Sequence, residues 1–118
     1  MSDATPHLSE HQTAVLGLSV EDAYALWEVA DEVGGDQVVA AAVVRTLLDL
    51  GLVELGIEDW SDDLPAFVVE GKYVEVPFTG DVAAALADPI SWRSDQPRKI
   101  VVWATVAGRA RYFGAAGK

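Results

Sequence analysis

Three groups of residues have the types and spacing to do chemistry. His7-Leu-Ser-Glu10-His11 has the H-x-x-E-H spacing with which two histidines and a carboxylate hold and activate a catalytic zinc. Such a site needs both histidines on a buried helix, a distant third ligand and a sizeable cleft. Five residues at the N-terminal end of a small chain supply none of these, so the match reads as chance. Glu58, Asp59, Asp62 and Asp63 are oxygen ligands in one stretch, but they lack the alternation and the central glycine of a calcium loop. They read as a solvated acidic loop. Gly34-Gly35 is not followed by Lys-Ser/Thr and opens no phosphate cradle. A pair of carboxylates of the kind that hydrolyses glycosides could be drawn from so many acids, yet nothing selects any two. No serine sits in an elbow motif, and no lysine or tyrosine has a catalytic setting. The residues therefore point away from an enzyme, and no metal or cofactor is expected.

Charge divides the chain more sharply than any motif. Its 118 residues carry a net charge of −11. Residues 1–92 hold 18 Asp/Glu against only Arg45 and Lys72, whereas residues 93–118 hold six Lys/Arg against Asp95 alone. An acidic body repels phosphate, so any contact with nucleic acid would have to run through Arg98, Lys99, Arg109 and Arg111. The plainer reading is that these cations face acids from the second helix, in the same or a neighbouring subunit. There is no cysteine, which excludes disulfides and thiol chemistry. The long apolar stretch Val38–Leu55 is interrupted by Arg45, Asp49 and Glu54, so no membrane span is expected. The N-terminus lacks a positive n-region, and the expected location is the cytoplasm.

The elements that must position these side chains follow from periodicity. One domain is expected over 1–118, with 1–7 and 114–118 flexible. Ser9 can cap a short helix holding Ala14, Val15 and Leu16 inward until Gly17. Ser19, three residues before Asp22, suits the start of a second helix with Val20, Ala23, Leu26, Trp27, Ala30 and Val33 inward and Glu28, Asp31 and Glu32 outward. Gly34-Gly35 stops it. Asp36 caps a third helix to about Leu50, with Val39, Ala40, Val43, Val44, Leu47 and Leu50 as the buried stripe. Gly51 ends that helix and Leu52–Ile57 reads as a strand. Residues 58–97 form an insertion: an acidic loop with Trp60, a hairpin about Gly71-Lys72, a short helix over 82–87 capped by Thr79 or Asp81, and a stop at Asp88-Pro89. Arg98–Thr105 is the last buried strand, and Arg109–Phe113 a short strand or turn of helix. Trp27 and Trp103 read as core. Trp60 and Trp92 either dock on the domain or anchor a partner.

Three pieces resemble the winged helix-turn-helix pattern of the MarR and PadR groups. They are Leu8–Leu16 for the opening helix, Arg45-Thr-Leu-Leu-Asp-Leu-Gly-Leu-Val53 for the end of the recognition helix and first wing strand, and Val101-Val-Trp-Ala-Thr-Val-Ala-Gly-Arg109 for the returning strand. The resemblance implies an α+β, winged-helix-like fold: three N-terminal helices followed by a small antiparallel sheet with an enlarged wing insertion. The departures bear on function. DNA-reading helices present Arg, Lys, Asn, Gln or Ser to base edges, but here the corresponding face offers Ala41, Ala42, Arg45 and Asp49. The long terminal helix of MarR-type dimers is not expected, because Gly114 and Gly117 follow so soon.

A small, mostly apolar helix face is what packing against protein requires. The expectation is an acidic cytoplasmic interaction or regulatory module, contacting a protein partner or a second copy through Val38, Ala41, Ala42 and Arg45 with Trp60 and Trp92. The alternatives are a DNA-binding regulator using Arg45, Arg98, Lys99, Arg109 and Arg111, or an acidic decoy of a DNA-binding partner.

Overall fold

The computed structural model describes residues 8–59 and 74–116. Among these the order is α1 (Glu10–Glu21), β1 (Tyr24–Ala25), α2 (Leu26–Glu32), α3 (Gln37–Asp49), β2 (Val53–Asp59), β3 (Val74–Pro77), α4 (Val82–Ala87), a 3-10 turn (Pro89–Trp92), β4 (Arg98–Ala104) and α5 (Val106–Ala116). The fold is α+β. None of the described helices is long and apolar enough to cross a membrane. Trp60, the acidic residues Asp62 and Asp63, and the Gly71-Lys72 turn lie outside the described residues.

Ser9 caps α1 through a reciprocal box with Gln12: its Oγ accepts from the Gln12 N–H at 3.1 Å, and Gln12 Oε1 accepts from the Ser9 N–H at 2.9 Å. The helix does not stop at Gly17. A glycine inside a helix costs about 1 kcal/mol relative to alanine, but Tyr112 of α5 lies where its side chain would be, with ring atoms 3.1 Å from a Cβ built there. Gly17 is thus a close-packing position, not a stop. Ser19 starts no second helix either. It is buried inside α1, and its hydroxyl donates to the Val15 carbonyl at 2.9 Å.

The chain turns extended at Asp22, and Tyr24-Ala25 forms a short strand paired with Val102 and Val101 of β4. Because α2 begins only at Leu26, its phase differs from that of a helix begun at Ser19. Leu26, Val29, Ala30 and Val33 turn inward, and Trp27 is left 39% exposed, contrary to its reading as core. The α2–α3 connection is as expected from its glycines: Gly34 and Gly35 both have positive φ, and the Gly35 N–H donates back to the Ala30 carbonyl at 2.7 Å.

In α3, Asp36 Oδ1 accepts from the N–H groups of Val38 and Val39 at 2.9 and 3.2 Å. Ala40, Val43, Val44 and Leu47 are buried and Val39 and Leu50 half-buried, so the apolar stripe faces the core. Gly51, at φ 72°, ends the helix while the Leu52 N–H reaches the Leu47 carbonyl at 3.0 Å.

The four described strands form one antiparallel sheet in the order β1-β4-β2-β3. β2 and β4 pair along their full length from Val53↔Ala104 to Asp59↔Arg98. Val53, Leu55 and Val102 point into the helices, joining Val15, Leu16, Leu26, Val29, Val44 and Leu47 in the core. Trp103, next to Val102 and so on the opposite face, is half-exposed and lies over Gly56, donating its indole N–H to Glu54. Its expected place in the core is corrected by this strand alternation. The end of the chain is corrected too. Arg109–Phe113 lies within an eleven-residue helix, α5, which passes through Gly114, so residues 114–116 are not a loose tail.

Candidate functional site

The third-helix face is the surface on which most of the proposed contact residues lie. Asp36 anchors the start of α3, and the buried stripe fixes its rotation about its axis. The residues turned away from the core are Val38, 78% exposed, with Ala42, Arg45 and Asp49. Ala41 lies at the margin, half-buried and packed against the core. Arg45 is committed locally: its Nε lies 3.4 Å from Asp49 Oδ1, one helical turn later, with both side chains more than half exposed. A pair of this kind contributes a few tenths of a kcal/mol at most. It directs the one guanidinium of this face along the helix.

The insertion meets this face at one end. Asp81 Oδ1 accepts from the Ala84 N–H at 3.1 Å and caps α4, while Thr79 makes no cap. Asp88 ends α4 and starts the 3-10 turn, its Oδ1 accepting from the Ile90 N–H at 3.0 Å. Leu86 and Trp92 then point into the core, and the Trp92 indole N–H donates to the Leu86 carbonyl at 2.9 Å. Trp92 is therefore docked inside the domain and leaves its ring no surface for a partner. Between α3 and α4 runs an open groove of about 310 Å³ lined by Arg45, Leu48, Asp49, Asp81, Val82 and Ala83. With one cation against two carboxylates, it is a poor seat for phosphate. Val38 and Ala42 stand clear of it.

The basic residues do not gather into one surface. Arg98 and Lys99 open β4, in register with Asp59 and Glu58 of β2, and Lys99 Nζ donates to the Gln96 carbonyl at 2.7 Å. Arg109 and Arg111 lie on α5, beyond the other end of that strand. Seven residues of strand span roughly 20 Å, so the two pairs are separated by about that length of β4. Arg45 belongs to a third element. Two ion pairs on the described surface are local ones, Arg45 with Asp49 and Arg93 with Asp95. The Arg93 guanidinium holds the Asp95 carboxyl below its ordinary range, chiefly through their hydrogen bond. Glu10 and His11 are exposed in the first turn of α1, and His7 lies outside the described residues.

One further surface was not singled out by the sequence. Leu18 of α1, Tyr24 of β1 and Trp27, Glu28, Asp31 and Glu32 of α2 line an open cleft of about 230 Å³. Glu28 is partly engaged, since its Oε1 accepts from the Ala25 N–H at 3.0 Å. Asp31 and Glu32 are exposed and have no ion pair among the described residues. The signal was a tryptophan set among acids, masked by assigning Trp27 to the core. No protein-family model, curated protein or solved structure matches this chain.

Proposed function

We propose that this is a small cytoplasmic regulatory or interaction module on a winged-helix-like scaffold, working through protein contacts at Val38, Ala41, Ala42 and Arg45. Support for the scaffold comes from connectivity. α2 and α3 are joined by a short turn containing two glycines, as in a helix-turn-helix, and the strand leaving α3 pairs with the returning β4. The contact reading rests on one observation: the outward face of α3 is led by Val38, 78% exposed, and Ala42, where a DNA-reading helix carries base-matching polar groups. The helix backbone beneath this face is held by its other side, so a partner meeting Val38 and Ala42 would find them already placed.

A photo-crosslinking amino acid placed at Ala42 tests this in cells that express the protein. Discrete protein adducts are expected from position 42 and not from the exposed Ala87 of α4, and they should vanish when Val38→Glu is added. Equal labelling from both positions, or adducts indifferent to Val38→Glu, would remove the α3 face from the proposal.

A further inference from the structure

We infer that two copies of the chain associate by seating the outer stripe of α5 from one copy in the α1–α2 cleft of the other. Two surfaces, otherwise unexplained, meet in this inference. Gly108 and Tyr112 face inward from α5, toward Leu52 and toward Gly17 respectively. At 100° per residue, Val106 and Phe113 then fall on the outward side, with Arg109 on the flank beside them. Val106 is 86% exposed and Phe113 57%, and Arg109 is exposed as well. Within one copy the Phe113 ring meets Tyr112 edge-on, with centroids 5.6 Å apart, and an apolar–cationic–aromatic stripe still remains on the outer surface of the helix.

The cleft is its complement. Tyr24, Trp27 and Leu18 supply aromatic and aliphatic surface, and Glu28, Asp31 and Glu32 supply negative charge. Arginine is the side chain that such a mixture takes best, because its guanidinium pairs with carboxylates and stacks on aromatic rings. Tryptophan, tyrosine and arginine are also the residues that dominate binding energy at interfaces. Neutralisation of α5 within the same copy does not account for Arg109, which has no ion pair among the described residues. A second copy is the partner that fits, because this chain carries both halves of the match, at opposite ends of its charge gradient. Each copy offers one stripe and one cleft, so a contact made twice about a two-fold axis closes a dimer. The inference uses none of the α3 contact residues and does not depend on that reading.

Charge reversal followed by mixing tests it, with native mass spectrometry and sedimentation as the readouts. The wild-type chain is expected to show a species of twice its 12.6 kDa mass. Arg109→Glu alone, and Asp31→Arg with Glu32→Arg alone, each set like charges together and should weaken the dimer at least tenfold, the lower range for a close interfacial charge pair. Mixed one to one, the two variants restore opposite charges in both contacts and should form a heterodimer. Wild-type protein that stays monomeric at about 100 µM, a weaker affinity than specific interfaces ordinarily show, would overturn the inference. So would a dimer unaffected by Arg109→Glu, or variants that remain folded by circular dichroism and fail to pair on mixing.

Discussion

Replacing Gly108 with alanine is expected to destabilise the fold by about 2 kcal/mol, although alanine is the better helix former. Gly108 sits in the first turn of α5, and its N–H donates to Thr105 Oγ1 at 3.0 Å. The Thr105 hydroxyl in turn donates to the Gly51 carbonyl at 2.7 Å, and its N–H to the Leu52 carbonyl at 3.0 Å. Thr105 thus caps α5 and fastens it to the end of α3. A Cβ on residue 108 would run into that Leu52 carbonyl and approach the Leu16 side chain to 3.3 Å. Relief requires α5 to lift, at about 1–3 kcal/mol for overpacking and about 1 kcal/mol for a weakened hydrogen bond. The helix-propensity gain of about 1 kcal/mol offsets only part of this. Gly114→Ala on the same helix meets nothing within 4 Å and should be stabilising by up to about 1 kcal/mol. Thermal unfolding should therefore move in opposite directions for the two variants, by several degrees for a domain of this size. Matching shifts would mean that α5 does not press on Leu52.

Trp92→Ala should cost more, about 3–5 kcal/mol, the range for emptying a large aromatic site in a core. The ring is 8% exposed, packs in the same cluster as Leu26, Val29 and Leu86, and carries the hydrogen bond to the Leu86 carbonyl. It pins the short α4 and the 3-10 turn to α2, and α4 is too short at six residues to hold itself together. Trp92→Phe keeps most of the apolar body and loses the N–H donor, so about 1–2 kcal/mol is expected. Urea unfolding followed by circular dichroism separates the two. A Trp92→Ala variant within 1 kcal/mol of wild type would show that residues 82–92 add little to the core.

The features legible in the sequence were those whose signals are local and unambiguous. Asp36 before an apolar-periodic run, Gly51 after it and Asp88-Pro89 as a break each act within one helical turn and stand where the sequence puts them, and of the two caps it offers for α4, Thr79 and Asp81, the fold uses Asp81. The β2–β4 pairing was also legible, since both runs are apolar and close in length. The misread positions are ones where a distant partner decides. Gly17 signals a stop, but it lies inside α1, where Tyr112, far along the chain, packs closely over it. Ser19 has the same chemistry as a cap and as a buried donor to Val15. Val15, Leu16, Ser19 and Val20 nonetheless form a continuous helical stripe that could have decided between them. With α1 ending at Glu21 and α2 beginning at Leu26, Trp27 faces outward among Glu28, Asp31 and Glu32. At the start of α5, Thr105 is the cap and Gly108 the contact point, roles set by Gly51 and Leu52 far back in the chain.

The candidate site was legible in part. Val38, Ala42 and Arg45 share the exposed face, as the helical period requires, whereas Ala41 is half-buried and Trp92 fully engaged. Charge counting along the chain identified the basic C-terminal segment, but counting has no geometry. The fold distributes Arg98 and Lys99 to one end of β4 and Arg109 and Arg111 to a helix past its other end. A phosphate-gripping wing built from all four is not assembled. Among the described residues, acids line the α1–α2 cleft, and Asp49 and Asp81 stand beside α3, the helix that would have to enter a groove of DNA.

Fluorescence anisotropy of a labelled random-sequence duplex, titrated with the protein at low salt, tests most directly whether α3 serves protein or DNA. Non-specific DNA binders half-saturate such a duplex at or below about 100 µM at physiological salt, and low salt favours them further. With Val38 and Ala42 leading the face and Arg45 held beside Asp49, no salt-sensitive rise in anisotropy is expected over that range. Binding that weakens as salt is added, and weakens again in Arg45→Ala or Arg98→Ala, would contradict the protein-contact reading and return α3 to the role of a DNA-reading helix.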